Sequence, residues 1–186
     1  MLEIIVIVLI ALLVIVAIWA IAQYNALVRL RNLVQEAWRQ IDVELQRRHD
    51  LIPNLVETVK GYAKHEKSTF EEVTKARSMA AAPGSGPAEQ AAQENMLTQA
   101  LGKLFAVAEA YPDLKANQNF MQLQQELTNT EDRVAAGRRF YNANVRSINT
   151  KVETFPVNII SNMFGFQRHE YFETDDIARS NPNVSF

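Results

Sequence analysis

The sequence predicts an all-α protein, in which an N-terminal transmembrane helix continues into an antiparallel bundle of long helices. Three features support this prediction. An unbroken apolar stretch lies near the N-terminus, and a long heptad pattern follows it. The composition is also low in Gly and Pro, and β-branched residues do not alternate with polar ones after the first 22 positions.

The apolar stretch runs from Ile4 to Ala22 and contains no polar side chain. At about 1.5 Å per residue it is long enough to cross a hydrocarbon core of about 30 Å. Trp19 and Tyr24 lie where an aromatic belt is expected. A signal peptide is the alternative, because Ala20-Ile21-Ala22 has the small-residue spacing of a cleavage site. A membrane anchor is favoured, since the apolar run is long for a signal and no basic residue precedes it.

Positive charge follows the span and does not precede it. Arg29, Arg31 and Arg39 come soon after the apolar stretch, whereas Glu3 precedes it. Because basic residues favour the cytoplasmic side of a membrane, the sequence predicts an external N-terminus and a cytoplasmic body.

A heptad pattern follows the anchor without a Gly or Pro between them. The pattern passes through Tyr24, Leu27, Arg31, Val34, Trp38, Ile41, Leu45, Arg48, Ile52, Leu55, Val59, Tyr62, Glu66, Thr69, Val73 and Ala76. It predicts one coiled-coil-like helix of about 80 Å from Tyr24 to Ala76. Pro53 is expected inside this helix, with a bend there, because the pattern passes through it without a change of phase.

Gly and Pro divide the rest of the chain. Residues 81–87 contain two prolines and two glycines and predict a turn. A helix is predicted from Ala88 to Ala110, ended by Pro112. Its apolar face is predicted at Ala92, Met96, Ala100, Leu104, Val107 and Tyr111. A second long helix, from Asn117 to Phe155, is the predicted antiparallel partner of the first. The predicted divisions are an anchor at 1–23, a helical bundle at 24–173 and a polar tail at 174–186.

Arg48 falls on the heptad pattern, where a guanidinium would be buried unless a carboxylate pairs with it. The second long helix contains Glu126, Glu131 and Asp132. We therefore expect Arg48 to be a buried charge that fixes the register of the two helices, in preference to a ligand site.

Two apolar surfaces are candidates for interaction. The membrane-proximal part of the long helix has more apolar side chains than the rest of the chain is expected to cover, unless the segment from Phe155 to Phe166 folds over them. These side chains are Leu27, Leu30, Leu33, Val34, Ala37 and Trp38, and they predict a homo-oligomer interface. The segment from Phe155 to Phe166 is too short to span a bilayer. It is expected to be a short helix that caps the bundle, and the alternative is a partner or lipid surface at Phe155, Pro156, Phe164 and Phe166.

The sequence does not supply an enzyme site. The 19 basic and 21 acidic residues leave almost no net charge, which argues against nucleic-acid binding, and the chain has no cysteine. No phosphate-binding loop, nucleophile with a neighbouring base, or metal-binding pair of histidines is recognisable. We therefore expect no enzymatic activity, no cofactor and no metal.

Several motifs resemble the LemA family of bacterial membrane proteins over essentially the whole chain. The most specific is the block from Arg47 to Val56, RRHDLIPNLV. The others are Tyr24-Asn25, Arg31-Asn32, Ala37-Trp38, Ile41-Asp42-Val43, Tyr62-Ala63, His65-Glu66, Phe140-Tyr141-Asn142, Phe155-Pro156, Phe164-Gly165-Phe166 and Tyr171-Phe172-Glu173. The resemblance implies a single-pass inner-membrane protein with a bundle of long helices. It supplies no reaction, and one branch of the family is associated with magnetosome membranes.

Two functions remain open at this point, and a third is less favoured. The first is a non-enzymatic scaffold that self-assembles on the inner membrane and organises it, with the lipid bilayer and its own copies as partners. The second is a membrane-tethered adaptor or receptor that presents a surface to another membrane protein or to a ligand. An unrecognised hydrolase or lipid-modifying enzyme is the third. The oligomeric state would separate the first two.

Overall fold

The computed structural model of the protein describes residues 1–173, and the predicted tail at 174–186 lies outside the described residues. The described residues form helices and loops without a strand, which confirms the all-α prediction. The helices are α1 (Leu2–Lys60), α2 (Lys67–Ala80), α3 (Pro87–Glu109), α4 (Pro112–Lys115), α5 (Gln118–Glu153) and α6 (Val157–Met163).

α1 begins in the apolar stretch and continues without interruption to Lys60, with Pro53 inside it as predicted. The prediction of one helix through Ala76 is wrong. Residues 61–66 form turns, and α2 then carries Phe70, Val73 and Ala76 into the core as a separate helix. Gly61 is the first residue after α1, and Gly costs about 1 kcal/mol relative to Ala inside a helix. The heptad pattern therefore identifies buried residues in both helices, such as Val59 of α1 and Val73 of α2. It does not show that a turn separates the two helices.

The chain divides into two compact units. The first comprises Met1–Trp38 and Phe140–His169, and the second comprises, among the described residues, Arg39–Arg139 and 170–173. In the second unit, buried side chains of α1 to α5 form one hydrophobic core. Leu55, Val59 and Leu104 lie in this core, and none of them is exposed to solvent. The turn at 81–87 and the bounds of α3 agree with the sequence prediction, whereas the short α4 was not predicted.

Contacts between α1 and α5 in the second unit show that the two helices are antiparallel, as predicted. Glu44 pairs with Arg133 at 3.4 Å and Arg47 pairs with Glu126 at 2.8 Å, so the α5 numbers fall as the α1 numbers rise. The N-terminus of α5 is capped by Asn117, whose side-chain oxygen accepts a hydrogen bond from the backbone N–H of Phe120 at 3.1 Å.

Candidate functional site

The end of the apolar stretch packs against the segment that follows α5, within the first unit. The Tyr24 ring contacts the rings of Phe164 and Phe166, with centroids 4.8 and 5.8 Å apart and edge-on geometry. The Arg31 guanidinium lies 5.4 Å from the centre of the Phe166 ring, which is close enough for a cation–π interaction. The segment after α5 therefore folds back onto the membrane-proximal turns of α1.

α6 presents apolar side chains on two faces. Val157 and Ile160 are buried on one face, whereas Ile159 and Met163 are 55% and 69% exposed on the other. Phe155, just before the helix, is 75% exposed. Large apolar side chains exposed next to one another are unusual on a surface that faces water, so the outer face of α6 is a candidate interaction surface.

Three of the four predicted partner or lipid residues lie on this outer surface, and one does not. Phe155, Pro156 and Phe164 are exposed, whereas Phe166 is only 7% exposed and contacts Tyr24 and Arg31. Assigning Phe166 to an exposed surface was wrong, because Gly165 adopts a positive φ of 70° and the chain turns Phe166 inward. The sequence missed Ile159 and Met163, although their four-residue spacing after Phe155 could have revealed one helical face.

The six residues predicted to form a homo-oligomer interface differ in how far they are buried. Leu27, Val34 and Ala37 are buried within the single chain, Leu30 and Trp38 are half-buried, and Leu33 is exposed. The Trp38 ring lies 5.5 Å from the Tyr141 ring of α5. The chain itself covers much of this part of α1, as the exception for the segment from Phe155 to Phe166 allowed, and α5 contributes as well. Whether any of the six contacts another copy stays a prediction.

The first unit ends in an extended segment held by Asn149. The Asn149 side-chain amide donates to the carbonyl of His169 at 2.9 Å, and its oxygen accepts from the backbone N–H of His169 at 2.8 Å. Asn149 is 4% exposed, so both bonds lie largely out of water. Burial, followed by the positive charge of Arg31, lowers the pKa of His169 below its usual value of 6.5.

The second unit contains a buried cluster of charged and polar side chains around Glu94 of α3. Arg48 Nη1 donates to Glu94 Oε2 at 3.0 Å, and Arg48 Nη2 donates to the Thr98 hydroxyl at 2.8 Å. His49 Nε2 lies 2.7 Å from Glu94 Oε1. Because a carboxylate can only accept, this nitrogen of His49 must carry a hydrogen. Gln90 also donates to Glu94 Oε1, at 3.2 Å, so both carboxylate oxygens are satisfied.

The burial expected for Arg48 agrees with its 4% exposure, but the expected partners on α5 are wrong. Glu94 of α3 takes the place predicted for Glu126, Glu131 or Asp132, and Glu126 instead pairs with the more exposed Arg47. The sequence could have revealed Glu94 through its spacing. The buried face of α3 follows Ala91, Glu94, Leu97, Leu101, Leu104 and Ala108. Of the predicted face, Ala100 and Leu104 are buried and Val107 and Tyr111 are partly buried, whereas Ala92 and Met96 are exposed.

A pocket of about 180 Å³ opens beside this cluster. Its walls include Arg48, Glu94, Glu131, Arg138 and Phe172, so two cations, two carboxylates and one aromatic ring face the same space. Within residues 1–173 no group of three or more His, Asp or Glu side chains is placed to hold a metal ion. The pocket suits a small polar ligand better than a metal ion.

The only helix in residues 1–173 that is apolar and long enough to cross a membrane is α1, and none of its most apolar 18-residue window is buried within the chain. The family model described as the LemA family matches residues 37–186. The chain belongs to the LemA family. The match confirms the resemblance seen in the sequence, and it starts after the apolar stretch.

Curated relatives of the chain include other LemA-family proteins. "Magnetosome protein MamQ 2" of Paramagnetospirillum magneticum is 28% identical over 176 residues, which cover 81% of this chain and 65% of the relative. "Protein LemA" of Metamycoplasma hominis is 28% identical over 168 residues, covering 89% of this chain and 75% of the relative. The chain thus spans about 65% of the length of the magnetosome relative. Neither printed name denotes an enzyme.

Proposed function

We propose that the protein is a non-enzymatic scaffold, anchored by α1 in the bacterial inner membrane, that assembles with copies of itself and organises that membrane. The observation that supports this most strongly is α1 itself. Residues 1–19 are exposed along their whole length, whereas Leu27 and the turns after it are packed. A helix that is apolar, unburied and continuous with a folded region is typical of an anchor.

The continuity of α1 also favours an anchor over a cleaved signal. The helix passes through Ala20, Ile21 and Ala22 and continues to Lys60, so this segment is a regular helix and Ala20 is partly covered by the folded chain. We place the body in the cytoplasm, because Arg29, Arg31 and Arg39 follow the span. Since the chain has no cysteine, Ser85→Cys introduces a unique thiol in the turn after α2. In intact cells it should resist a membrane-impermeant thiol reagent, and rapid labelling would reverse the topology.

In this proposal, copies of the protein contact one another through exposed apolar side chains of the first unit. Leu33 is 44% exposed and Phe140 is 50% exposed, so both remain available after the chain has folded. Anchors confined to one membrane raise the effective concentration of these surfaces. We expect the interface between copies to centre on Leu33, because Leu27, Val34 and Ala37 are occupied inside the chain.

Light scattering after gentle detergent extraction tests this proposal. The scaffold should run as a large defined oligomer, and Leu33→Glu should divide it into smaller species without changing the helical circular dichroism. Gln35→Glu is the matched control, since Gln35 is an exposed neighbour that receives the same charge. A wild-type protein that is monomeric in both detergent and nanodiscs would contradict self-assembly.

The alternative is a membrane-tethered receptor, which the pocket beside Arg48 favours. A small ligand with both acidic and basic groups would match Arg138 and Glu131 on its walls. The measurement is thermal unfolding with a panel of amino acids and other zwitterions. A ligand that stabilises the wild type but not Arg138→Met would favour the receptor over the scaffold.

A further inference from the structure

The outer face of α6 is the apolar surface of the first unit that lies beside the end of the apolar stretch. Ile159 and Met163 are four residues apart and share this face, and Phe155 and Phe164 flank it. All four side chains are at least half exposed. Residues 155–166 contain no charged side chain, so water solvates this face poorly.

Contacts with α1 show at which position along the α1 axis the outer face of α6 lies. The Phe164 ring lies 4.8 Å from the Tyr24 ring, and Tyr24 follows Ala22, the last residue of the apolar stretch, by two residues. Two residues correspond to about 3 Å along a helix. Ala20 and Gln23 are the first side chains of α1 to be partly covered by the folded chain. The packed segment therefore begins at the level where the hydrocarbon core ends.

We propose that α6 lies in the headgroup region of the bilayer that α1 crosses, with Phe155, Ile159, Met163 and Phe164 directed toward the acyl chains. This inference rests on the anchor in the proposed function. Interfacial helices place their apolar face about 5–10 Å into the boundary between headgroups and acyl chains, which is the level that Tyr24 defines. In this proposal α6 makes a second contact with the bilayer, in addition to the one that α1 makes by crossing it.

Lipid fits this face better than a second copy does. On the sides of Tyr24 that Phe164 and Phe166 do not cover, lipid headgroups surround the anchor, so they adjoin α6 as soon as α1 is inserted. The charge of the surrounding unit also suits a membrane surface. Its parts at 24–38 and 140–169 contain five arginines and lysines against two glutamates, and basic residues near a bilayer attract anionic lipids.

Single-cysteine fluorescence in nanodiscs tests the position of α6, using the full chain. Ile159→Cys and Met163→Cys are each labelled with an environment-sensitive dye, and lipids with a quencher near the headgroup are included. Ala17→Cys, inside the span, reports insertion of the anchor in parallel nanodiscs whose lipids carry the quencher on the acyl chain. Thr128→Cys is the control, because Thr128 is an exposed polar residue of α5 that lies outside the first unit.

We expect blue-shifted emission at Ile159 and Met163 and severalfold stronger quenching by lipid than at Thr128. Quenching at Ala17 without quenching at Ile159 and Met163 would overturn the position of α6 and leave the anchor intact. Blue-shifted emission at Ile159 without lipid quenching would assign this face to a second copy, and would also overturn the inference. Absence of quenching at Ala17 would overturn the anchor itself.

Discussion

The guanidinium of Arg77 donates a hydrogen bond from Nε to the backbone carbonyl of His49, at 2.7 Å. His49 lies four residues before Pro53, so its carbonyl is the one that loses its helical donor to the proline. An unpaired buried carbonyl costs about 1–3 kcal/mol. Arg77 of α2 therefore satisfies the group that Pro53 leaves unpaired in α1.

The first prediction is that the contribution of Arg77 depends on Pro53. Arg77→Met should lower the free energy of unfolding by about 1–3 kcal/mol, because the His49 carbonyl loses its donor. In a Pro53→Ala background the backbone N–H that the substitution restores can donate instead, and the cost of Arg77→Met should fall. Urea unfolding in mild detergent, followed by circular dichroism, measures the double-mutant cycle. Lys75→Met is the control on the exposed side of α2. Equal costs of Arg77→Met in the two backgrounds would disprove the coupling.

The second prediction concerns the buried charges. Glu94→Leu should destabilise the protein by about 3–5 kcal/mol, because Arg48 would be left buried without a counter-charge. Arg48→Met combined with Glu94→Leu should cost less than the two single changes added together. Arg47→Ala is the comparison: its pair with Glu126 is 48% and 37% exposed, so we expect a loss below about 1 kcal/mol. Denaturant unfolding gives all four values, and additive losses at Arg48 and Glu94 would contradict the pairing.

The third prediction is a pH dependence from His169. Because its pKa is lowered in the folded state, the unfolded chain binds the proton more readily. The stability contribution is therefore complete above the unfolded pKa of about 6.5 and is lost as the pH falls through that value toward the folded pKa. Protection factors for amides near His169, which are exchange rates corrected for the pH dependence of the unstructured chain, should fall over this range.

The variants for this pH dependence separate its two causes. His169→Gln should remove the acid-induced fall in protection factor, and Arg31→Gln should weaken it, because the Arg31 charge also lowers the pKa of His169. His65→Gln is the control, since His65 is exposed. An unchanged exchange profile in His169→Gln would assign the acid sensitivity to another group.

The fourth prediction compares two glycines inside helices. Gly102 of α3 has nothing within 4 Å of the position that a Cβ would occupy, so Gly102→Ala should stabilise the protein by about 0.5–1 kcal/mol. At Gly137 of α5 the same atom would lie 3.0 Å from Cγ1 of Ile41. Gly137→Ala should therefore destabilise the protein, because the close packing of α1 and α5 must open. Thermal unfolding of both variants should give shifts of opposite sign, and a stabilising Gly137→Ala would show that Ile41 adapts.

Sequence periodicity predicted most of the helical segments and many of the buried positions, but not the break between α1 and α2, the short α4, or which helix supplies each partner. The heptad pattern correctly identified Leu45, Arg48 and Ile52 as buried. It could not reveal the turn after Lys60, because buried positions recur with the same spacing in α2. Glu94 was missed for a different reason. A carboxylate is counted as polar in an apolar pattern, so Glu94 was left off the buried face of α3 although its spacing from Ala91 and Leu97 fits that face.

The exposed turns of α1 limit how long a newly synthesised chain can remain in water. The stretch from Ile4 to Ala22 consists largely of Ile, Val and Leu, without a charge or a proline. Such residues have high β-propensity, and segments of this kind form cross-β aggregates when they remain in water. Its helical state therefore depends on transfer to the membrane soon after synthesis. We expect chains whose insertion is blocked to accumulate as β-rich aggregates, detectable by infrared spectroscopy, rather than as a soluble pool awaiting the membrane.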